Sequence, residues 1–237
     1  MFTKIKNNIP NAITCLNLVG GVMAIIFSFR SFDEIAWGLQ GYQMAMLMIA
    51  FAALMDYLDG FAARLLHAVS PLGAELDSLS DCVSFGLAPA MILFNLLQGV
   101  LGDSAWCYLT LLIPVAGALR LARFNVDTEQ TTTFTGLPIP GNAIFWIGFC
   151  SFYAEHTAAV PLWVVIVSIV VLSWLMISGL RIFSLKIHSL SVKENYRQYL
   201  LVAGAVVFCA ISGIAGLAYL IIYYVLLSII FPEKKEA

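Results

Sequence analysis

The sequence predicts an all-α fold, a polytopic bundle of membrane-spanning helices, on three observations. Hydrophobic residues make up 61% of the 237-residue chain and charged residues only 11%, whereas soluble domains carry roughly a quarter charged residues. The apolar residues gather into runs of the length a helix needs to cross a bilayer, about 17 to 25 residues. Drawn as crossings, these runs put nearly all of the 12 Lys and Arg on one side, the bias that orients membrane helices. An ordinary water-soluble enzyme or binding module is excluded.

The first run, 11–29, follows Lys4 and Lys6. A secretory leader has an apolar region of about 7 to 15 residues and a small-residue cleavage site; this run is longer and ends in Ser28-Phe29-Arg30, so it is expected to stay as a span. The second run, 42–66, and the third, 72–100, are joined by the short His67-Ala68-Val69-Ser70-Pro71 segment, which predicts antiparallel neighbours, with Pro71 opening the third helix. Runs at 105–123, 142–155 and 161–180 supply three more spans. The last run, 199–231, is too long for one helix, and its Ser212-Gly213-Ile214-Ala215-Gly216 centre reads as a turn. Six core transmembrane helices plus a C-terminal helical hairpin, about eight spans, are therefore expected in a single domain, 1–237.

With Lys4 and Lys6 in the cytoplasm, Arg64, Arg120, Arg123, Arg181, Lys186, Lys193, Arg197, Lys234 and Lys235 fall on that side too, and only Arg30 falls outside. Each missed helix would flip every later loop, so this asymmetry supports both the span count and cytoplasmic termini. Cys15, Cys82, Cys107, Cys150 and Cys209 all lie in apolar segments without Cys-x2-Cys spacing, which predicts packing residues rather than a zinc site or disulfides. No internal repeat is visible, and no nucleic-acid partner is expected.

Against this background Asp56, Asp59, Arg64, Asp77 and Asp81 stand out, because ionisable residues within membrane segments mark functional sites. They form the pattern Asp-x2-Asp-Gly-x2-Ala-Arg-x8-Gly-x3-Asp-x3-Asp over residues 56–81. Three- and four-residue spacings put side chains on one helix face, so Asp56 and Asp59 point together, as do Asp77 and Asp81. Four uncompensated carboxylates would repel one another and protonate; divalent cations remove that cost. All-oxygen ligation suits Mg²⁺, Mn²⁺ or Ca²⁺, and the number of carboxylates suits a two-metal site of the kind that acts on phosphates. Gly60, Ala63 and Gly73 leave room for a ligand to approach the backbone, and Arg64 supplies a guanidinium suited to phosphate oxygens.

This pattern matches, with every fixed position filled, the signature of the CDP-alcohol phosphotransferase family, integral membrane enzymes that move a phosphatidyl-type group from a CDP-linked lipid to an alcohol and release CMP. The resemblance implies two divalent cations, Mg²⁺ or Mn²⁺, held by Asp56, Asp59, Asp77 and Asp81, with Asp81 as the base that takes the proton of the acceptor hydroxyl. It further implies that Gly60, Ala63 and Gly73 make room for the cytidine, that Arg64 contacts phosphate, and that Asn11 and Thr14 touch the nucleotide. Asn11 also suits a helix start for capping reasons alone.

Further stretches are similar to the bacterial phosphatidylserine synthase branch of that family. They are Ile9-Pro10-Asn11-Ala12-Ile13-Thr14-Cys15-Leu16-Asn17, Ser84-Phe85-Gly86-Leu87-Ala88-Pro89, Arg120-Leu121-Ala122-Arg123-Phe124-Asn125, Phe134-Thr135-Gly136-Leu137-Pro138-Ile139-Pro140 and the segment 176–186, where Leu185 stands in place of an expected Phe. That branch implies CDP-diacylglycerol and L-serine as substrates, CMP as product, a homodimer in membrane lipid, and a bacterial cytoplasmic (inner) membrane location with the site facing the cytosol. Serine needs a cation for its carboxylate. Arg120 and Arg123, three apart on one helix face, are the first candidates, and Arg181 and Lys186 follow; all four also fit ordinary positive-inside placement.

Glycerol 3-phosphate or an inositol phosphate as acceptor is the rival within the same chemistry. A cation transporter would place its site near the midplane on broken, often repeated helices, unlike a cluster at the cytoplasmic edge of a chain without repeats. An intramembrane aspartyl protease would need two Asp and no metal, which the four-Asp spacing opposes.

Overall fold

The computed structural model of the chain describes residues 2–126, 134–183 and 195–231. It is built almost wholly of helices and divides into two compact units, Met1–Leu121 and Ala122–Ala237. Among the described residues five helical runs are long and apolar enough to cross a membrane: Asn8–Ser28, Gly41–Leu65, Pro71–Leu101, Ala105–Val126 and Tyr196–Ile230; Leu162–Ile177 is a shorter apolar helix.

In the first unit, α1 (Phe2–Ser28) begins well before the expected 11, because the helix runs through Pro10. Asn11 therefore lies inside α1 rather than at its start, so helix capping does not explain it. A short antiparallel hairpin, β1 (Glu34–Ala36) and β2 (Leu39–Gln40), follows. Its turn holds Trp37 at φ 54° and Gly38 at φ 74°, the left-handed pair whose twist matches the flanking strands. No hydropathy pattern announces so short a pair.

Helix α2 (Gly41–Leu65) packs along α1. A Cβ at Gly20 would lie 3.0 Å from the Phe51 ring and 3.1 Å from Ala52 Cβ, the close small-residue approach that drives helix association in lipid. Ala24, Ala45, Ile49 and Ala52 form the buried seam. The next run is α3 (Pro71–Asp81), a π-helical segment Cys82–Leu87 and α4 (Ala88–Leu101) in continuous succession. Ser70 caps α3, its Oγ accepting from Gly73 N at 3.1 Å, with Pro71 in the first turn, where its missing N–H costs nothing. Ile92, Leu93, Leu96 and Leu97 of α4 are buried. A 3₁₀ stretch, Ala105–Leu111, leads into α5 (Leu112–Val126), which begins in the first unit and ends in the second.

The π segment meets α1 at one close contact. A Cβ at Gly21 would overlap Ser84, approaching its Cα to 2.7 Å, and backbone cannot rotate aside as a side-chain tip does. Gly21→Ala is therefore expected to destabilise the protein by about 1–3 kcal/mol, the usual cost of overpacking. A lower thermal midpoint in detergent reads this out. Gly179→Ala, where a Cβ meets nothing within 4 Å, should leave the midpoint unchanged.

In the second unit, β3 (Phe134–Thr135) pairs with β4 (Arg181–Ile182), Thr135 opposite Arg181. Between them run α6 (Ile139–Glu155) and α7 (Leu162–Ile177). The bonds Gly136 N to Leu180 O (2.8 Å) and Leu137 N to Leu175 O (3.0 Å) clamp the start of α6 to the end of α7. The C-terminal run is a hairpin of α8 (Tyr196–Ser212) and α9 (Gly216–Ile230). Gly213 turns the chain at φ 58°, a conformation open to glycine. The two ends then meet, with the Tyr196 and Phe231 rings 5.7 Å apart, and Phe208 packs on Tyr223. The turn falls where the sequence predicts it, since only a reversal lets both apolar helices bury a face.

Candidate functional site

Asp56 and Asp59 lie in the C-terminal half of α2, and Asp77 and Asp81 in the C-terminal half of α3. Their helices are held by a third element. Both α2 and α3 pack against α1, whereas α2 and α3 make scarcely any direct backbone approach to each other. The expected antiparallel neighbours are therefore separated by a gap, and the carboxylates line it. Like charges within a few ångströms repel strongly at low dielectric, and a cation held among them removes that cost.

Across this gap, carboxylate oxygens of Asp56, Asp59 and Asp77 lie within 4.8 Å of one another. Asp56 is in side-chain contact with both Asp77 and Asp81, which joins the fourth carboxylate to the group. Asp81 Oδ1 accepts from Asn17 Nδ2 at 3.2 Å. Thr14, buried on α1, donates its hydroxyl to Pro10 O at 3.1 Å and lies beside the Asp59 carboxylate. Among the described residues no Lys or Arg pairs with any of the four.

Asp59 Oδ2 and Asp77 Oδ1 are buried, and neither has a hydrogen-bond donor among the described residues. Buried carboxylate oxygens without donors are costly, and coordination of a cation is the ordinary way such a cost is met. The donor set is oxygen only, which fits a hard divalent ion and not zinc. The residues present therefore fit a divalent metal.

Beside the carboxylates the surface is open. Among the described residues, and apart from the helix's own backbone, a Cβ built on Gly60 would meet within 4 Å only Arg64 Nη1, at 3.8 Å, so the exposed guanidinium stands over a bare stretch of helix. Ala63 is half-buried between them. Gly73 faces another way: a Cβ there would meet Asn11 Oδ1 at 3.0 Å and Ser70 Oγ at 3.1 Å. Asn11 and Gly73 are thus brought together, α1 against the start of α3.

The expected acceptor-binding residues are less concentrated. Arg120 is half-buried on α5 in the first unit. Arg123, in the second unit, donates from Nη1 to Ile177 O at 2.8 Å. It thereby caps the last carbonyls of α7, a favourable place for a cation. Arg181 is exposed on β4. Lys186 lies outside the described residues. An apolar cavity of about 210 Å³ in the second unit, lined by Phe145, Phe149, Phe152, Val164, Ala218 and Ile222 among others, contains no carboxylate, His or Cys.

Asn17 was not singled out from the sequence, although a signal existed. Asn11, Thr14 and Asn17 recur every third residue in an apolar helix and so share a face. Asn17 is 0% exposed and its Oδ1 has no donor among the described residues.

Residues 7–174 match the family CDP-alcohol phosphatidyltransferase. The chain is 35% identical over 164 residues to the CDP-diacylglycerol–serine O-phosphatidyltransferase of Methanocaldococcus jannaschii, covering 68% of this chain and 71% of that one. It is 32% identical over 230 residues to the protein of the same name from Mycobacterium bovis, covering 93% and 74%. It is 34% identical over 164 residues to the archaetidylserine synthase of Methanothermobacter thermautotrophicus, covering 64% and 62%.

Proposed function

Because the chain belongs to the CDP-alcohol phosphatidyltransferase family, we propose that it transfers the phosphatidyl group of CDP-diacylglycerol to the hydroxyl of L-serine, giving phosphatidylserine and CMP. The observation that carries this reading is the carboxylate group itself: three ligand oxygens within 4.8 Å, two buried carboxylate oxygens without donors, and open helix surface with Arg64 beside them. The names of the relatives support serine as acceptor.

Asp56, Asp59, Asp77 and Asp81 would hold two Mg²⁺ or Mn²⁺ ions. Bound there, the metals would supply charge stabilisation to the diphosphate and to the departing CMP. The protein's own residues do the rest. Gly60 and Ala63 leave the helix surface bare for the nucleotide, Arg64 pairs with a phosphate, and Asn11 and Thr14 meet the nucleotide from α1, with Gly73 admitting Asn11. Asp81 takes the proton of the serine hydroxyl as its oxygen bonds to the lipid-bearing phosphorus. The bond from that phosphorus to the CMP oxygen breaks, and CMP leaves with the electron pair.

Arg120 and Arg123, with Arg181 and Lys186, provide cations for the serine carboxylate or lipid phosphate. Arg123 spends one N–H on Ile177 O and keeps its remaining donors for this work. The family match crosses the boundary between the two units, which supports treating 1–237 as one catalytic domain. The basic residues favour cytoplasmic termini and a cytosolic site in a bacterial inner membrane, with eight crossings if the C-terminal hairpin is counted as two. The family resemblance favours a homodimer.

The test is CMP release from CDP-diacylglycerol by purified protein with Mn²⁺ or Mg²⁺ and, in turn, L-serine, glycerol 3-phosphate or inositol phosphate. Serine alone should support release. Release with a phosphorylated acceptor instead would move the chain to the rival chemistry. Arg120→Ala and Arg123→Ala should each raise the serine KM, by about tenfold for a lost charge-assisted contact of about 1.5 kcal/mol. An unchanged KM in both would put the serine pocket elsewhere.

A further inference from the structure

We infer that Asn17 is a positioning residue of the carboxylate centre: its side-chain amide holds Asp81 in the orientation from which that carboxylate serves the metals and takes the acceptor's proton. The proton step rests on the transfer reading above; the orientation stands on geometry alone.

Asn17 is 0% exposed in the middle of an apolar helix, where an amide without a task is costly. Its Nδ2 donates to Asp81 Oδ1 at 3.2 Å, across 64 residues of sequence. Its Oδ1 finds no donor among the described residues, so the amide is not part of a closed structural pair: the one bond it makes is to the carboxylate. That bond occupies one oxygen of Asp81 and leaves the other for chemistry. An amide suits this task because it orients a carboxylate without neutralising it, whereas a Lys or Arg at this place would compete with the cations.

The backbone around the contact is held on both sides. Ser84 Oγ donates to Asn17 O at 3.0 Å, and Ser80 Oγ lies 3.3 Å from Thr14 O. These serines are i and i+4 on the helix that carries Asp81, one before it and one after it. Gly21 lets Ser84 approach α1, and the π segment that starts immediately after Asp81 resets the helix register at this point, as π turns at functional sites do. Helix α1 is thus fixed against Asp81 in both slide and rotation. One turn earlier on the same face, Thr14 stands beside Asp59, so α1 touches one carboxylate from each of the two helices it packs against.

The experiment uses purified full-length protein in detergent and measures three quantities for Asn17→Ala and Asn17→Leu: kcat and KM for CMP release from CDP-diacylglycerol with serine, the Mn²⁺ dissociation constant without substrates, and the thermal midpoint. Removing a partner that orients a metal-binding carboxylate typically costs about 10- to 100-fold in metal affinity or activity. We expect kcat to fall and the Mn²⁺ dissociation constant to rise within that range, while KM for CDP-diacylglycerol stays within about twofold. Ser84→Ala removes a backbone clamp but leaves the amide contact, and it should lower the midpoint with kcat retained. Asn17→Ala adds no bulk and alanine favours helix, so it carries the test if Asn17→Leu does not fold. Asn17→Ala with kcat and Mn²⁺ affinity both at wild-type levels would overturn the assignment, as would a Ser84→Ala variant that reproduces the full loss. Should wild-type protein release no CMP with any acceptor, the transfer reading fails, and the Mn²⁺ measurement still decides the role of Asn17.

Discussion

Asp81→Asn is expected to reduce CMP release by about 10²- to 10⁴-fold, the contribution of a positioned general base, in a protein that still folds. The substitution is isosteric. An amide at 81 can turn its oxygen toward Asn17 Nδ2 and keep the 3.2 Å contact, so α1 and α3 have no reason to part. What disappears is the basic carboxylate oxygen, and with it the proposed acceptor for the serine proton. The loss should appear in kcat under saturating CDP-diacylglycerol and serine, because the proton moves only as the acceptor oxygen bonds to phosphorus. Asp81 also touches Asp56, so Mn²⁺ binding is measured on the same variant: full loss of rate with only modest loss of metal separates the base from the ligand. A residual rate within tenfold of wild type would mean that the proton goes elsewhere.

Removing two of the other carboxylates that line the gap, one from α2 and one from α3, should be as damaging for a different reason. Asp59 and Asp77 each present a buried oxygen without a donor, and each lies within 4.8 Å of another candidate ligand. The double variant Asp59→Asn, Asp77→Asn is expected to lose activity by on the order of a thousandfold, since metal stabilisation of transition-state charge is worth several kcal/mol at about 1.4 kcal/mol per factor of ten. Chelation should abolish wild-type activity, and Mn²⁺ or Mg²⁺ should restore it; neither should restore the variant.

Stability gives an independent sign. Without a cation the carboxylates repel across the gap, so Mn²⁺ should raise the thermal midpoint of the wild-type protein through preferential binding to the folded state. In the variant part of the repulsion is gone. Its metal-free midpoint should be equal or higher and the Mn²⁺-induced rise should vanish. A variant that keeps the wild-type rise would hold its metal at other residues.

The helices were legible in the sequence wherever the signal was local. Apolar runs announced α2 and the π-containing run to within a residue or two, and Gly213 announced the C-terminal reversal. At the N-terminus the apolar run marks the span but not the helix, which continues through Pro10 into a polar segment and begins at Phe2. The Trp37–Gly38 hairpin and the β3–β4 clamp are too short to leave a periodic trace. The π segment is invisible for a deeper reason: its extra residue is set by Ser84 meeting Gly21 and Asn17 O on another helix, which no local pattern encodes.

By itself the sequence determined the class of molecule and the reacting chemistry. Hydropathy is a property of composition and length, and the Asp56–Asp59 and Asp77–Asp81 spacings place carboxylates on helix faces whatever lies around them. Only the tertiary structure decided that α1 packs against both of those helices, that Asn17 meets Asp81, and that Arg123 is committed in part to the end of α7. Those outcomes depend on contacts across 64 and 54 residues of chain. The first exists because a buried amide must find a partner in a medium without water, the second because an exposed guanidinium is favoured at a helix C-terminus, and which partner each finds is settled only when the helices pack.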